Sequence, residues 1–391
     1  MTRSRDPLVA YLSTFVVLGI VLGMLGPALP SLRRQVHASV GAISFVFVAQ
    51  SAGYLAGAVI GGRGFDRGLG HRLLGGALAW MAVGLLLVTR AGSIVTLCAA
   101  FAFLGLALGV IEVGSNTLLL WARHPAPAST INALHFLFGV GALLSPLLVN
   151  RALALRGTVR LAYLGAACVA VLAAAIVAAY PSPRAVDVEE HARGEHAPPR
   201  LVLAVAVFFG LYVGIEVGFS GWIATYAQAV HLGGSASGAA ITAVFWAAFT
   251  TGRLGGVGLA ARVRTSVLLF AGCSLSTVAA VAFAVARGRG IPVWIATIFF
   301  ALGLAPQFAS MLAFANEHLP LTGSATSWFM VASSIGGLLL PWVIGQLLSA
   351  SGSGALALVI VIASIVTLAW VFVLDRILPA TPAAVASPPI D

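Results

Sequence analysis

Two glutamates stand in the middle of long apolar runs, and both sit in the same tetrapeptide: Ile111 to Gly114 in "GVIEVGSNTLLLW" and Ile215 to Gly218 in "YVGIEVGFSGWIATY". Of eleven acidic residues, all but Glu112 and Glu216 fall in or beside polar loops and termini. A charged side chain at bilayer depth costs about 2.5–3.5 kcal/mol on insertion scales, so an ionised Glu facing lipid is unfavourable. Each carboxylate is therefore protonated and hydrogen-bonded, ionised beside a cation, or turned toward a water-filled cavity. In a cavity it can exchange a proton beside a bound solute, so that the two binding events stabilise one another. Sodium fits the same role near Glu112, because a carboxylate with carbonyl and amide oxygens is a hard-ligand set.

Helical spacing gives each acid a polar neighbour, since Glu112 and Asn116, like Glu216 and Ser220, are four residues apart on one face. His135 lies inside an apolar run and serves as a proton carrier, a solute contact or an interhelical hydrogen-bonding group. Gln50 and Gln307 are further polar groups in apolar segments, Gln307 directly after Pro306. Most of the eight tryptophans fall near span ends as interfacial anchors, whereas Trp222 and Trp328 are placed to stack on a ring or to anchor. Hydroxyl-rich solutes need several donors and acceptors at fixed positions and an aromatic face, which a Glu, Asn, His and Trp set supplies.

The elements that must hold these residues are membrane helices. The chain is 60% hydrophobic and 8% charged, with a mean hydropathy of +1.05. Spans between polar punctuation fall at 8–29, 40–60, 73–89, 94–121, 128–149, 158–180, 201–227, 237–260, 265–286, 292–315, 323–348 and 354–375. This pattern predicts an all-α polytopic membrane protein with twelve transmembrane helices. The one extended hydrophilic stretch, Pro181 to Arg200, divides residues 1–180 from residues 201–391 as two six-helix bundles joined by a cytoplasmic linker, an internal duplication. The second bundle ends in a short cytoplasmic tail.

The net charge of +10 comes entirely from arginine among the basic residues, and we assign it to topology-setting loops rather than to nucleic acid. With both termini cytoplasmic, twelve arginines lie inside and eight outside, with Arg253 near an inner helix end. Cys98, Cys168 and Cys273 lack paired metal-type spacing and are small core residues. The segment "MTRSRDP" precedes a long apolar run without a cleavage site, which predicts a retained first span. No nucleophile with a paired base, clustered metal ligands or phosphate loop appears, so neither an enzyme nor a cofactor or resident metal is expected. Gly53, Gly57 and Gly61, and then Gly105 and Gly109, recur at helix-packing spacing. Pro27, Pro30, Pro146, Pro306 and Pro341 predict kinks within or at the ends of spans.

Between spans 2 and 3, "GGRGFDRGLGHRLL" carries Asp66, Arg67 and Arg72 in a tight turn, and "FTTGRLGGVGLAARV" places Arg253 at the matching point after span 8. These stretches resemble the signature loops of the major facilitator superfamily. The resemblance implies a conformational latch formed by Asp66, Arg67, Arg72 and Arg253. Span 4, with Glu112 and Asn116, and the start of span 5, with Asn132 and His135, resemble the fucose permease and sodium-dependent glucose transporter-like branch. "YVGIEVGFSGWIATYA" and "AFANEHLPLTGSATSWF" are similar to its sodium-dependent glucose transporter-like members.

The resemblance implies that spans 1, 4, 7 and 10 line a central pathway, with Glu112 in span 4 and Glu216 in span 7. It implies a monomeric secondary active transporter in the cytoplasmic membrane, importing a monosaccharide or similar small polar solute with protons or sodium. Cation coupling falls to Glu112, Glu216 and His135. Solute binding falls to Asn116, Asn132, His135, Glu216, Trp222, Gln307, Trp328 and Gln50. Proton-coupled efflux of amphipathic drugs or metabolites is the alternative. Span 1 lacks the acid that fucose permease-like symporters use, so Glu216 in the corresponding span of the second half is the candidate to replace it.

Overall fold

The computed structural model describes residues 6–123, 128–183, 197–233, 237–319 and 323–378. Its helices are α1 (Leu8–Gln35), α2 (Val40–Ile43), α3 (Phe45–Asp66), α4 (Gly70–Val88), α5 (Ile94–Arg123), α6 (Ala128–Arg156) and α7 (Arg160–Ala178). After the linker come α8 (Pro199–Ala229), α9 (Ser237–Ala260), α10 (Thr265–Ala286), α11 (Gly290–Leu304), α12 (Gln307–His318), α13 (Gly323–Ser351) and α14 (Gly354–Ile377). All twelve predicted spans are present, and two of them are split. Span 2 opens with α2, one turn capped by the Ser39 hydroxyl, before α3. Span 10 breaks into α11 and α12 at Pro306, where proline cannot donate to the preceding turn. Several helices run past the predicted ends, α1 by continuing through Pro27 and Pro30 to Gln35, while α9 and α10 keep the predicted bounds.

Packing pairs repeat between the halves. In the first, α1 lies on α6, α3 on α5 and α4 on α7; in the second, α8 lies on α13, α9 on α11 and α10 on α14. Counted as spans, these are the same three pairings in each bundle, which is the pseudo-symmetry expected of a duplication. Eleven of the spans are long and apolar enough to cross a bilayer; α9, which carries Arg253, is the twelfth. Outward apolar residues such as Val278, Val285, Ile291, Leu358 and Ile362 are more than half exposed, as a lipid-facing surface requires.

The two bundles meet where α1 faces α8, α3 faces α13 and α6 faces α9. At the end carrying the α1–α2 turn they are sealed. Gln346 reaches from α13 to α2, the Phe45 and Trp342 rings meet at 6.0 Å, and Phe47 packs on Trp222 at 5.7 Å. Toward the opposite end, beside the α9–α10 turn, a cavity lined by Ala260 and Thr265 lies between them.

Candidate functional site: a charged cavity between the bundles

A cavity of about 600 Å³ fills the space between the halves. Phe15, Phe47, Phe138, Trp246 and Phe308 form much of its wall, and Gln50, Ser51, His135, Ser220, Ser333 and Ser334 interrupt that wall with polar groups. Three charged side chains enter it: Glu112 from α5, Glu216 from α8 and Arg253 from α9.

Glycine packing positions the first acid. Gly57 on α3 abuts the Leu106 carbonyl of α5, and Gly109 on α5 abuts the Tyr54 carbonyl of α3, so a side chain at either place would part the helices. The close crossing turns Tyr54 toward Glu112, with the phenol hydroxyl facing the carboxylate. Asn116 does not join them, because its amide donates to the Glu112 backbone carbonyl at 2.9 Å.

On α8, Tyr212 and Glu216 are one turn apart, and the Tyr212 hydroxyl faces both the Glu216 carboxylate and the Arg253 guanidinium. It meets neither at hydrogen-bond geometry and is buried without a partner. The Ser220 hydroxyl turns back to the Glu216 carbonyl at 2.7 Å. Arg253 lies over the Phe249 ring, 4.6 Å from its centroid, an arrangement that shields a desolvated guanidinium. Among the described residues an ion pair joins Asp6 to Arg123, and none joins Arg253 to either cavity glutamate. Arg253 is nevertheless within electrostatic range of Glu112, Glu216 and His135. His135 meets the Phe15 ring edge-on at 5.5 Å.

Backbone acceptors border the same space. Each helix proline removes the N–H that would bond the carbonyl four residues upstream. For Pro27, Pro30 and Pro341 those carbonyls belong to Gly23, Gly26 and Gly337, all on the cavity wall.

Several predicted site residues lie elsewhere. Trp222 is fully buried, its indole N–H donating to the Pro341 carbonyl of the same bundle at 2.8 Å and its ring packed on Phe47 of the other, so it serves the seal between halves. Trp328 is 58% exposed on the outer surface of α13, a position that suits anchoring. Gln307 is buried away from the cavity, its amide held by the Ser276 hydroxyl at 2.9 Å and the Gly303 carbonyl at 3.0 Å. Arg253 lies in the cavity instead of joining a latch with Asp66, Arg67 and Arg72. Those three are exposed, and no ion pair joins them among the described residues. The side chain of Asn132 lies outside the described residues. Glu112, Glu216, His135 and Gln50 are brought together.

Sequence reasoning missed Tyr54, Tyr212, Trp246 and Ser333. The signal for part of the set was present, because Trp246, Phe249 and Arg253 follow one another at three- and four-residue spacing on one face of α9.

Two pseudo-symmetric bundles around a central cavity, with ionisable groups entering it from both sides, define the two-bundle class of membrane transporters. The chain belongs to the Major Facilitator Superfamily, whose family model matches residues 11–341. Mouse (Mus musculus) sodium-dependent glucose transporter 1A is 26% identical over 378 residues, covering 86% of this chain and 88% of its own. Human (Homo sapiens) sodium-dependent glucose transporter 1 is 26% identical over 382 residues, 86% of this chain and 72% of its own. Among solved structures, the partially occluded inward-open xylose transporter XylE from E. coli superposes with a TM-score of 0.77 at 12% identity, over 96% of this chain and 99% of that one. The nucleoside transporter NupG gives 0.72 at 12% identity, over 96% and 99%. At those identities the structural matches establish the fold.

Proposed function

We propose that this protein is a secondary active transporter that moves a monosaccharide or similar small polar solute by alternating access, coupled to protons or sodium. The observation that carries this reading is the meeting of Glu112 from one bundle with Glu216 and Arg253 from the other across a cavity open at one end. Its volume of about 600 Å³ falls in the range of about 300–1,000 Å³ typical of small-molecule sites. Gln50, His135, Ser220 and the proline-freed carbonyls offer donors and acceptors to hydroxyls, and Trp246 and Phe308 offer rings. The glucose-transporter relatives support the sugar class.

The test is uptake into proteoliposomes under an imposed proton or sodium gradient, with D-glucose, D-xylose, L-fucose and uridine offered separately as radiolabelled probes. Concentrative uptake of at least one sugar, lost when the gradient is dissipated, is expected. No accumulation of any sugar under either gradient overturns the reading. The many apolar side chains of the wall favour, as a second reading, outward movement of an amphipathic solute, and gradient-driven extrusion of a preloaded fluorescent amphiphile without sugar uptake would select it.

A further inference from the structure

The cavity holds two carboxylates and one guanidinium, and helix partnership decides which carboxylate the guanidinium serves. Glu216 and Arg253 stand on α8 and α9 respectively, packed neighbours within one bundle, with the Tyr212 hydroxyl facing both. Glu112 reaches the same space from the other bundle, where Tyr54 faces it. Alternating access moves one bundle against the other as largely rigid bodies. Arg253 and Glu216 therefore travel together, while the gap from Arg253 to Glu112 opens and closes with each cycle.

We propose that Arg253 is a built-in counter-cation for Glu216, so that Glu112 alone takes a cation from solution and one cation binds per transport cycle. The charges entering the cavity sum to minus one with Glu112 ionised, and to zero once Glu112 has bound its proton or sodium ion. Neutrality matters because moving an uncompensated charge through a poorly hydrated pathway is costly. The buried Tyr212 hydroxyl, without a partner of its own, is the group that bridges the fixed pair when the guanidinium and carboxylate close on each other. His135 and Tyr54 are the other titratable groups facing the cavity, and each lies on the Glu112 side of it.

The inference rests on the cation-coupled reading above, but its test needs no sugar. Purified full-length protein in detergent is melted over a series of sodium concentrations balanced with choline, and separately over a series of pH values in sodium-free buffer. A ligand that binds only the folded state, at concentrations above its Kd, raises stability in proportion to the logarithm of its concentration, with a slope equal to the number of ions bound; for protons the slope is read after subtracting that of a Glu112→Gln, Glu216→Gln double variant, which carries the titration of every other group. Wild type is expected to show a slope of one ion for one of the two cations. Glu112→Gln should lose the response. Arg253→Gln should double the slope, because Glu216 then demands a cation of its own. The pair Arg253→Gln with Glu216→Gln should restore a slope of one and recover melting temperature relative to Arg253→Gln alone.

A response that survives Glu112→Gln overturns the proposal, as does an Arg253→Gln defect that Glu216→Gln fails to relieve or that Glu112→Gln relieves instead. A wild type that responds to neither cation overturns it as well. If Arg253→Gln does not fold, Arg253→Lys, which keeps the charge, must keep the slope of one. Sugar uptake failing while these slopes hold would sink the solute assignment and leave the charge pairing standing.

Discussion

The Gln346 side-chain amide donates to the Gly41 carbonyl at 2.9 Å and to the Ser44 hydroxyl at 3.0 Å, tying α13 of the second bundle to α2 of the first at the sealed end. These two bonds cross the boundary that must part when the cavity opens to that side. Each is worth about 1 kcal/mol net, so Gln346→Leu should shift the balance between sealed and open by roughly fivefold or more. Spin labels at Arg34→Cys and Ser351→Cys, in a background without the native cysteines, report the separation there. A longer distance population should grow in Gln346→Leu, and an unchanged distribution would show that the bonds do not hold the seal.

The relocation of the tryptophans gives a second prediction. Trp246 lines the cavity with Phe138, Phe245 and Phe249 around it, whereas Trp328 faces outward. Losing one aromatic face beside a sugar is worth about 1.4 kcal/mol, or roughly tenfold in affinity. Trp246→Leu should raise KM for the accumulated solute by about that factor, and Trp328→Leu should leave KM unchanged. Equal effects of the two substitutions would reject the cavity assignment.

The fold was legible because twelve apolar segments and one hydrophilic linker leave few alternatives, and the motif turns named the superfamily. The two glutamates were legible for the same reason: a carboxylate in an apolar run has few places to go. Arg253 was assigned to the latch because its glycine-rich surroundings match the signature turn of the first half, whereas α9, with the predicted bounds, places Arg253 on the cavity wall. Gln307 and Trp222 were misjudged because hydropathy does not reveal which face of a helix a polar group occupies, nor that Ser276 and the Pro341 carbonyl are waiting for them. Tyr54 could not be paired with Glu112 from spacing, since they meet only through the crossing of α3 and α5.

A third prediction concerns His71, which sequence placed in the turn before span 3 and which instead opens α4 as a buried residue. Its ring bridges the Tyr11 hydroxyl at 2.8 Å and the Tyr180 carbonyl at 2.9 Å, joining α1 and α4 to the chain leaving α7. His71→Leu leaves both partners without a bond, at about 1–3 kcal/mol for a buried group. A lower melting temperature is expected, and Tyr11→Phe made together with His71→Leu should add less than its separate effect. Additive losses would mean that the two side chains act independently.

The last prediction tests how Tyr54 is held against Glu112. A Cβ at Gly109 would collide with the Tyr54 carbonyl and would stand 2.6 Å from the Ala58 nitrogen, whereas one at Gly62 on the same helix as Tyr54 meets nothing within 4 Å. Overpacking of this kind costs about 1–3 kcal/mol, while alanine in place of an unhindered helical glycine gains up to about 1 kcal/mol. Gly62→Ala should therefore melt no lower than wild type, and Gly109→Ala should melt lower. Because relief requires α3 to move away from α5, Gly109→Ala should also weaken the cation-dependent stabilisation proposed for Glu112, as Tyr54→Phe should without disturbing the crossing. A Gly109→Ala variant with full cation response would show that Glu112 binds its ion without help from α3, and the close crossing would then serve packing alone.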